Sequence, residues 1–186
     1  MELLLIGSTP GVMPTIAPGP KEPYGTPAAP PIEIRPMEED DAAALVRFHG
    51  RLSSQTTYLR FFSIHPELTS AEVERFTHVD HREREALVAV VDDEVIGVAR
   101  FDRIVGSADA EVAFVVADVW QGCGVGSALF QALARRAGEL GIGRFIADTL
   151  PHNRRMLGLF RRSGRPMSSD FDRDTVRVVL DLGRAA

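Results

Sequence analysis

The 186-residue chain has one cysteine, Cys123, and one lysine, Lys21. A lone cysteine excludes an internal disulfide. A lone lysine leaves almost no nucleophilic amine, because the other basic residues are arginines, which stay protonated in proteins. Positive charge is scarce overall: 21 Lys and Arg stand against 26 Asp and Glu, for a net charge of −5 and a pI near 5.5. That balance argues against nucleic acid as a partner, since phosphate backbones are gripped by a basic face. No apolar run approaches the ~20 residues of a membrane-spanning helix, so no membrane partner is expected. The start, Met1–Ile6, is apolar but lacks a basic flank, and Gly7 and Pro10 interrupt it. It does not read as a signal peptide, and the expected compartment is the cytoplasm. What remains is an ordinary globular mixture, 45% hydrophobic and 25% charged, which suits one buried core rather than two.

Nine of the 12 prolines lie at or before Pro36. Residues 1–31 are therefore expected to form a Pro/Gly-rich N-terminal arm, a linker or surface strap to which no chemistry is assigned. The folded domain is expected over 32–186. It opens with a short strand at 32–35 and a helix over 38–52, whose acidic start suits the positive helix end. Ser70 is a candidate cap for a second helix through Phe76. Ala86–Val91 and Val95–Phe101 read as a hairpin around Asp92-Asp93-Glu94, and Glu111–Val116 reads as another strand. An amphipathic helix follows, with Val125, Leu129, Leu133, Ala137 and Leu140 on one face and Gly141 as its stop. A strand at Arg144–Thr149, a short helix from Asn153 to Ser163 and a strand at Thr175–Leu182 complete the order. The pattern predicts a mixed α/β domain with antiparallel central strands and at least one strand–helix–strand crossover.

The most informative stretch is Gln121-Gly122-Cys123-Gly124-Val125-Gly126-Ser127, set between a strand and the amphipathic helix. Glycines there let the backbone approach a ligand, and the helix N-terminus adds partial positive charge, so the loop suits a phosphate. A Walker loop is excluded because no lysine follows the glycines. A dinucleotide fingerprint fits poorly, because Ala117–Gln121 separate the loop from its strand and the last small residue is Ser127. A bare tight turn fits poorly too, since three glycines would weaken the helix they open without recompense.

Gln121-x-x-Gly124-x-Gly126 resembles the Q/R-x-x-G-x-G/A motif of GNAT acetyltransferases, whose loop binds the pyrophosphate of acetyl-CoA. The likeness extends to nearly everything after Pro31. The hairpin resembles that superfamily's central pair, and Asn153–Gly164 its later helix. Leu52–Phe62, Arg75–His81 and Ala110–Phe114 resemble, more narrowly, the acetyltransferase domain of bacterial Pat-type protein lysine acetyltransferases. The resemblance implies a mostly antiparallel twisted sheet, splayed at strands 4 and 5 and flanked by about four helices. It implies acetyl-CoA as co-substrate, no metal, and a primary amine as acceptor: a protein lysine, with an acyl-CoA synthetase as one such target. A small-molecule amine acetyltransferase and a non-catalytic acyl-CoA sensor are the alternatives.

By the same resemblance Glu111 occupies the general-base position, and the alternative is a solvated strand-end carboxylate. Phe114, Val115 and Val116 would border the thioester and pantetheine, with a main-chain N–H of Val115 or Val116 polarising the carbonyl. Gln121, Gly122, Cys123, Gly124, Val125, Gly126 and Ser127 would hold the pyrophosphate. Asn153 matches the cofactor-contacting asparagine and also suits a helix cap. Two residues depart from the pattern. Phe160 stands where many relatives have the tyrosine that protonates the leaving thiolate, so it is assigned to packing against pantetheine or core. Cys123 stands where relatives often carry a basic residue; it reads as a reactive thiol or a small filler. Tyr58 is a candidate on the acceptor side, although its aromatic cluster also suits a core. Arg154-Arg155 and Arg161-Arg162 could meet the coenzyme's 3′-phosphate, but a solvated helix face is the plainer role. His78-x-x-His81 with Asp80 lacks the companion ligands of a metal site.

Overall fold

The computed structural model describes residues 31–183, so nearly all of the N-terminal arm lies outside the described residues. Strand β1 (Glu33–Pro36) leads through a 3-10 turn at Glu39–Asp41 into helices α1 (Ala42–Gly50), α2 (Ser54–Phe61) and α3 (Ser70–Thr77). Strands β2 (Arg84–Val91), β3 (Glu94–Arg103) and β4 (Asp109–Val116) follow. A second 3-10 turn, Asp118–Trp120, precedes α4 (Val125–Glu139), β5 (Arg144–Thr149), α5 (Arg154–Arg162), β6 (Met167–Asp172) and β7 (Thr175–Asp181). The sheet order is β1-β2-β3-β4-β5-β7-β6, antiparallel at every step except β4–β5.

The elements follow the expected order with three differences. The helix expected over 38–52 begins as a 3-10 turn, and Arg35 holds Asp41 there through bonds of 2.7 and 2.8 Å. Helix α2 was not expected, so five helices flank the sheet rather than about four. It lacks an apolar stripe and buries Thr56 and Thr57; Ser53 starts it, its hydroxyl accepting from the Thr56 amide. Strand β6 was also unexpected. Its sequence, Met-Ser-Ser-Asp-Phe-Asp, is mostly exposed because it is an edge strand paired only with β7.

Helices cover both faces, which is why β2 is apolar without alternation. On one face α4 and α5 pack over a cluster containing Phe101, Phe114, Phe130, Leu133, Phe145 and Phe160. On the other, α1 and α3 cover Met37, Phe48, Val88 and Val98. Glu85, 1% exposed on β2, joins the sheet to α4: His81 Nδ1 lies 2.6 Å from one oxygen, and Arg136 Nε donates to the other at 2.9 Å. A buried carboxylate needs such partners.

Two devices position the site. At Gly97 on β3 an added Cβ would stand 3.0 Å from Leu129 Cδ1 and 3.2 Å from Val125 Cγ1, so α4 lies as close to the sheet as its side chains permit. At the other junction, β4 and β5 pair over only three positions, Asp109↔Arg144 to Glu111↔Ile146. Arg144 clamps the closed end by donating two bonds to Asp109, at 2.8 and 2.7 Å. Beyond Glu111 the strands part.

Gly97→Val is expected to overpack the β3–α4 contact at a cost of about 1–3 kcal/mol, lowering Tm by roughly 3–10 °C. A thermal melt indistinguishable from wild type would show that α4 is not held at this distance.

Candidate active site

The parting of β4 from β5 creates a cleft with two arms. The larger, about 370 Å³, runs from Phe114–Val116 to the glycine loop, between α2 and α5. The smaller, about 200 Å³, lies over Glu111, Asp102 and Asp148. Leu59, Arg60, Phe114, Asn153 and Met156 line both arms and so mark where they meet.

At the far end of the larger arm Gly122 and Gly124 adopt φ of +82° and +88°, a region that costs any residue with a Cβ. Gly124 is the N-cap of α4, and no side chain caps the helix. The first main-chain bond of the helix runs from the Ala128 N–H to the Gly124 carbonyl. The N–H groups of Val125, Gly126 and Ser127 precede it and have no intrahelical acceptor, the arrangement that favours an anion.

A polar chain holds this loop in shape. Gln121 Nε2 donates to the Val116 carbonyl at 2.9 Å and to Thr56 Oγ1 at 3.1 Å, and its Oε1 accepts from Arg155. Thr56 Oγ1 donates to Asp118 at 2.8 Å, and the Ser53 hydroxyl and amide donate to the same carboxylate at 2.7 and 2.9 Å. Burial alone would raise the Asp118 pKa; the bonds from Ser53 and Thr56 outweigh it and hold the carboxyl below its ordinary value. Helices α2 and α5 and the loop are thereby tied together.

Strand β4 supplies the floor. The Ile104 N–H donates to Asp109, and the Ala117 N–H donates to Ile96, across the β3–β4 register. Main-chain groups alternate along a strand, so odd-numbered residues from 109 to 117 bond β3, whereas Phe114 and Val116 face the opening. Of the two amides expected to polarise a carbonyl, Val115 is committed to the sheet and Val116 is directed into the cleft.

The remaining expected residues fall as follows. Glu111 is exposed on the smaller arm, directly across from Asp102 on β3. Asn153 caps α5, its Oδ1 accepting from Met156 N at 3.1 Å, and it lines both arms. Phe160 is buried against Phe114 and Phe130, at centroid distances of 6.2 and 6.4 Å, and backs the smaller arm. The side chain of Val125 belongs to the core, leaving only its backbone for the loop. Cys123 and Tyr58 are exposed and do not line the cleft.

Other lining residues were not anticipated in these roles. Thr56, Leu59 and Arg60 come from α2, and Trp120, Met156 and Leu159 complete the larger arm; Arg155 and Arg162, weighed above for the coenzyme's 3′-phosphate, line it as well. The Ser53 cap signal could have revealed α2. His81 is engaged by Glu85, and His78 Nε2 lies 3.4 Å from Glu39. Among the described residues no group of three or more His, Cys, Asp or Glu is placed to hold a metal.

Comparison with known proteins agrees with this geometry. Residues 32–165, from β1 through α5, match the family described as acetyltransferase (GNAT) domain. An acetyltransferase of Pseudomonas aeruginosa is 28% identical over 153 residues, covering 80% of this chain and 82% of its own. Acetyltransferase Pat of Mycolicibacterium smegmatis is 36% identical over 134 residues. That match covers 70% of this chain but only 40% of the mycobacterial protein. The crystal structure of the GNAT domain of S. lividans PAT superposes with a TM-score of 0.76 at 40% identity, over 80% of this chain and 89% of that one. The chain therefore belongs to the GNAT acetyltransferase family, and among its relatives are acetyltransferases of the Pat type.

Proposed function

We propose that the protein transfers an acetyl group from acetyl-CoA to the side-chain amine of a protein lysine, with Glu111 as general base, in the cytoplasm. The observation that carries the reading is the two-armed opening between β4 and β5. One arm ends at unpaired helix amides suited to a diphosphate; the other holds Glu111, which has no ion-pair partner among the described residues and suits a cationic amine, beside Asp102 and Asp148, which are held by Arg100 and Arg177. GNAT acetyltransferases use acetyl-CoA as acyl donor, and the fit here follows from the chemistry of the lining. The main chain of the loop, Gly122 to Ser127, receives the pyrophosphate. The exposed edge of β4 at Phe114 and Val116 pairs with the pantetheine amides, and Asn153 and Met156 wall the thioester. The choice of a lysine acceptor rests on similarity to Pat.

A lysine amine has a pKa near 10.4 and is mostly protonated at neutral pH. Glu111 takes its proton, directly or through water, and the freed lone pair attacks the thioester carbonyl carbon. The Val116 N–H receives the charge that grows on the carbonyl oxygen. The amide C–N bond forms as the C–S bond breaks, the sulfur departs with the electron pair, and the second proton of the attacking nitrogen passes to water or to the departing thiolate. Phe160 has no proton to give. A thiol with a pKa near 8.5 leaves as the anion at modest cost, so the chemistry closes without a tyrosine.

Glu111→Gln is expected to lower kcat by about 10²–10⁴-fold with little change in acetyl-CoA affinity, measured by CoA release and by calorimetry. An unchanged kcat removes Glu111 from this role. Gly124→Asp places a Cβ at positive φ and a negative charge at the amide cradle, and is expected to weaken acetyl-CoA binding by more than about tenfold. Wild-type affinity in that variant would refute the pyrophosphate assignment. Asp118→Ala removes the acceptor joining Ser53 and Thr56 to the loop, so KM for acetyl-CoA should rise several-fold and kcat should fall less; if both stay fixed, the polar chain does not position the loop.

A further inference from the structure

Arg60 stands apart from the other arginines. Among the described residues it is the one arginine that is not exposed and forms neither an ion pair nor a side-chain hydrogen bond. Every other partly or fully buried guanidinium has a partner. Arg35 has Asp41, Arg84 the His78 carbonyl, Arg100 Asp102, Arg103 Glu83 and Arg136 Glu85. The contact Arg60 does make is with the ring of its neighbour Phe61, whose centroid lies 4.9 Å from its guanidinium carbon. It lines the coenzyme-side arm and the acceptor-side arm alike, beside Phe114, Asn153 and Met156.

The surroundings do not neutralise it. Asp102 is already bonded to Arg100, which is buried on β3 and stacks on Phe76 at 4.8 Å. Glu111 lies in the acceptor arm, where the proton transfer uses it. Burial, and then the nearby Arg100 charge, push the Arg60 pKa down to about 10, so it remains a cation at neutral pH in a place that disfavours one. A partly desolvated guanidinium without a counter-ion gains most from a carboxylate, which its planar fork binds with two bonds.

We propose that Arg60 is the docking point for a carboxylate at the reacting end of the cleft, carried by the transferred acyl chain or by the acceptor. The inference rests on the acyl-transfer reading above and departs from it in the partner, since neither an acetyl group nor a protein lysine side chain carries a carboxylate. The protein prefers a donor or an acceptor with an anionic end within reach of α2. The pyrophosphate is a separate anion: its cradle is the glycine loop, at the opposite end of the larger arm. Lysine cannot replace arginine fully here, because an ammonium offers a point charge rather than a two-pronged donor.

Two arms of one experiment distinguish the sources. In the first, calorimetry on the full chain compares succinyl-CoA with butyryl-CoA and acetyl-CoA. A carboxylate on the acyl chain predicts roughly ten- to a hundredfold tighter binding of succinyl-CoA than butyryl-CoA; the ratio should fall to about one in Arg60→Met and be partly kept in Arg60→Lys. In the second, acetyl-CoA turnover is measured with lysine and methionine against their α-amides. A carboxylate on the acceptor predicts a KM ratio of similar size, which should fall to about one in Arg60→Met. Both comparisons are read first on the wild-type protein, so neither depends on a variant that folds. Ratios near one in both arms, with acetyl-CoA still bound and turned over, overturn this inference and leave the transferase reading standing. If no thioester binds at all, both fall together.

Discussion

The site depends on where β4 and β5 stop pairing. Three parallel register positions, closed at one end by the two-pronged Arg144–Asp109 bond, hold the strands together up to Glu111. The five residues of β4 beyond them, Val112–Val116, have no β5 partner. An unpaired strand edge inside a domain would ordinarily be a defect, since buried main-chain polar groups seek partners. Here the edge borders open space, and the N–H groups of Phe114 and Val116 are left for a ligand. The same parting separates the two arms and sets Glu111 at its lower limit, on the side away from the glycine loop.

The opening is kept by the elements around it rather than by the strands themselves. Gly97 lets α4 sit against β3, which fixes the helix end that carries the unpaired amides. The chain Ser53–Asp118–Thr56–Gln121–Arg155 then ties α2, the loop and α5 into one polar frame. Gln121 illustrates the point. Both ends of its side chain are used in the frame, so it shapes the loop, and in the proposed reading the phosphate falls to the backbone. Charge is distributed along the cleft: amides with Arg155 and Arg162 at the loop end, Glu111 and two arginine-bonded aspartates at the far arm, and Arg60 between them.

Much of this was legible in the residues. The hairpin, the helix after the loop and the strand at Arg144–Thr149 follow from apolar periodicity and turn chemistry, because their packing faces are long and regular. The glycine motif and Asn153 marked both sides of the larger arm. Helix α2 was legible only in its Ser53 cap, since it has no apolar stripe, buries threonines and is held by Asp118, 62 positions away from Thr56. Arg60 was hidden for the same reason: in sequence it is one more arginine beside aromatics, and only the fold brings it to the meeting of the two arms. The choice between Val115 and Val116 likewise needed the β3–β4 register, because alternation fixes the sides of a strand but not which side is open. Tyr58 and Cys123, singled out by resemblance, are displayed on the surface beside the cleft rather than in it.

The central claim is that the edge of β4 is open and awaits a partner. Amide hydrogen exchange, resolved by residue, tests it directly. Phe114 and Val116 should exchange quickly in the free protein and become protected when acetyl-CoA is added, while Ala113 and Val115 stay protected throughout. Protection of Phe114 and Val116 before any ligand is added, or exchange at those two amides unaltered by saturating acetyl-CoA, would contradict the account.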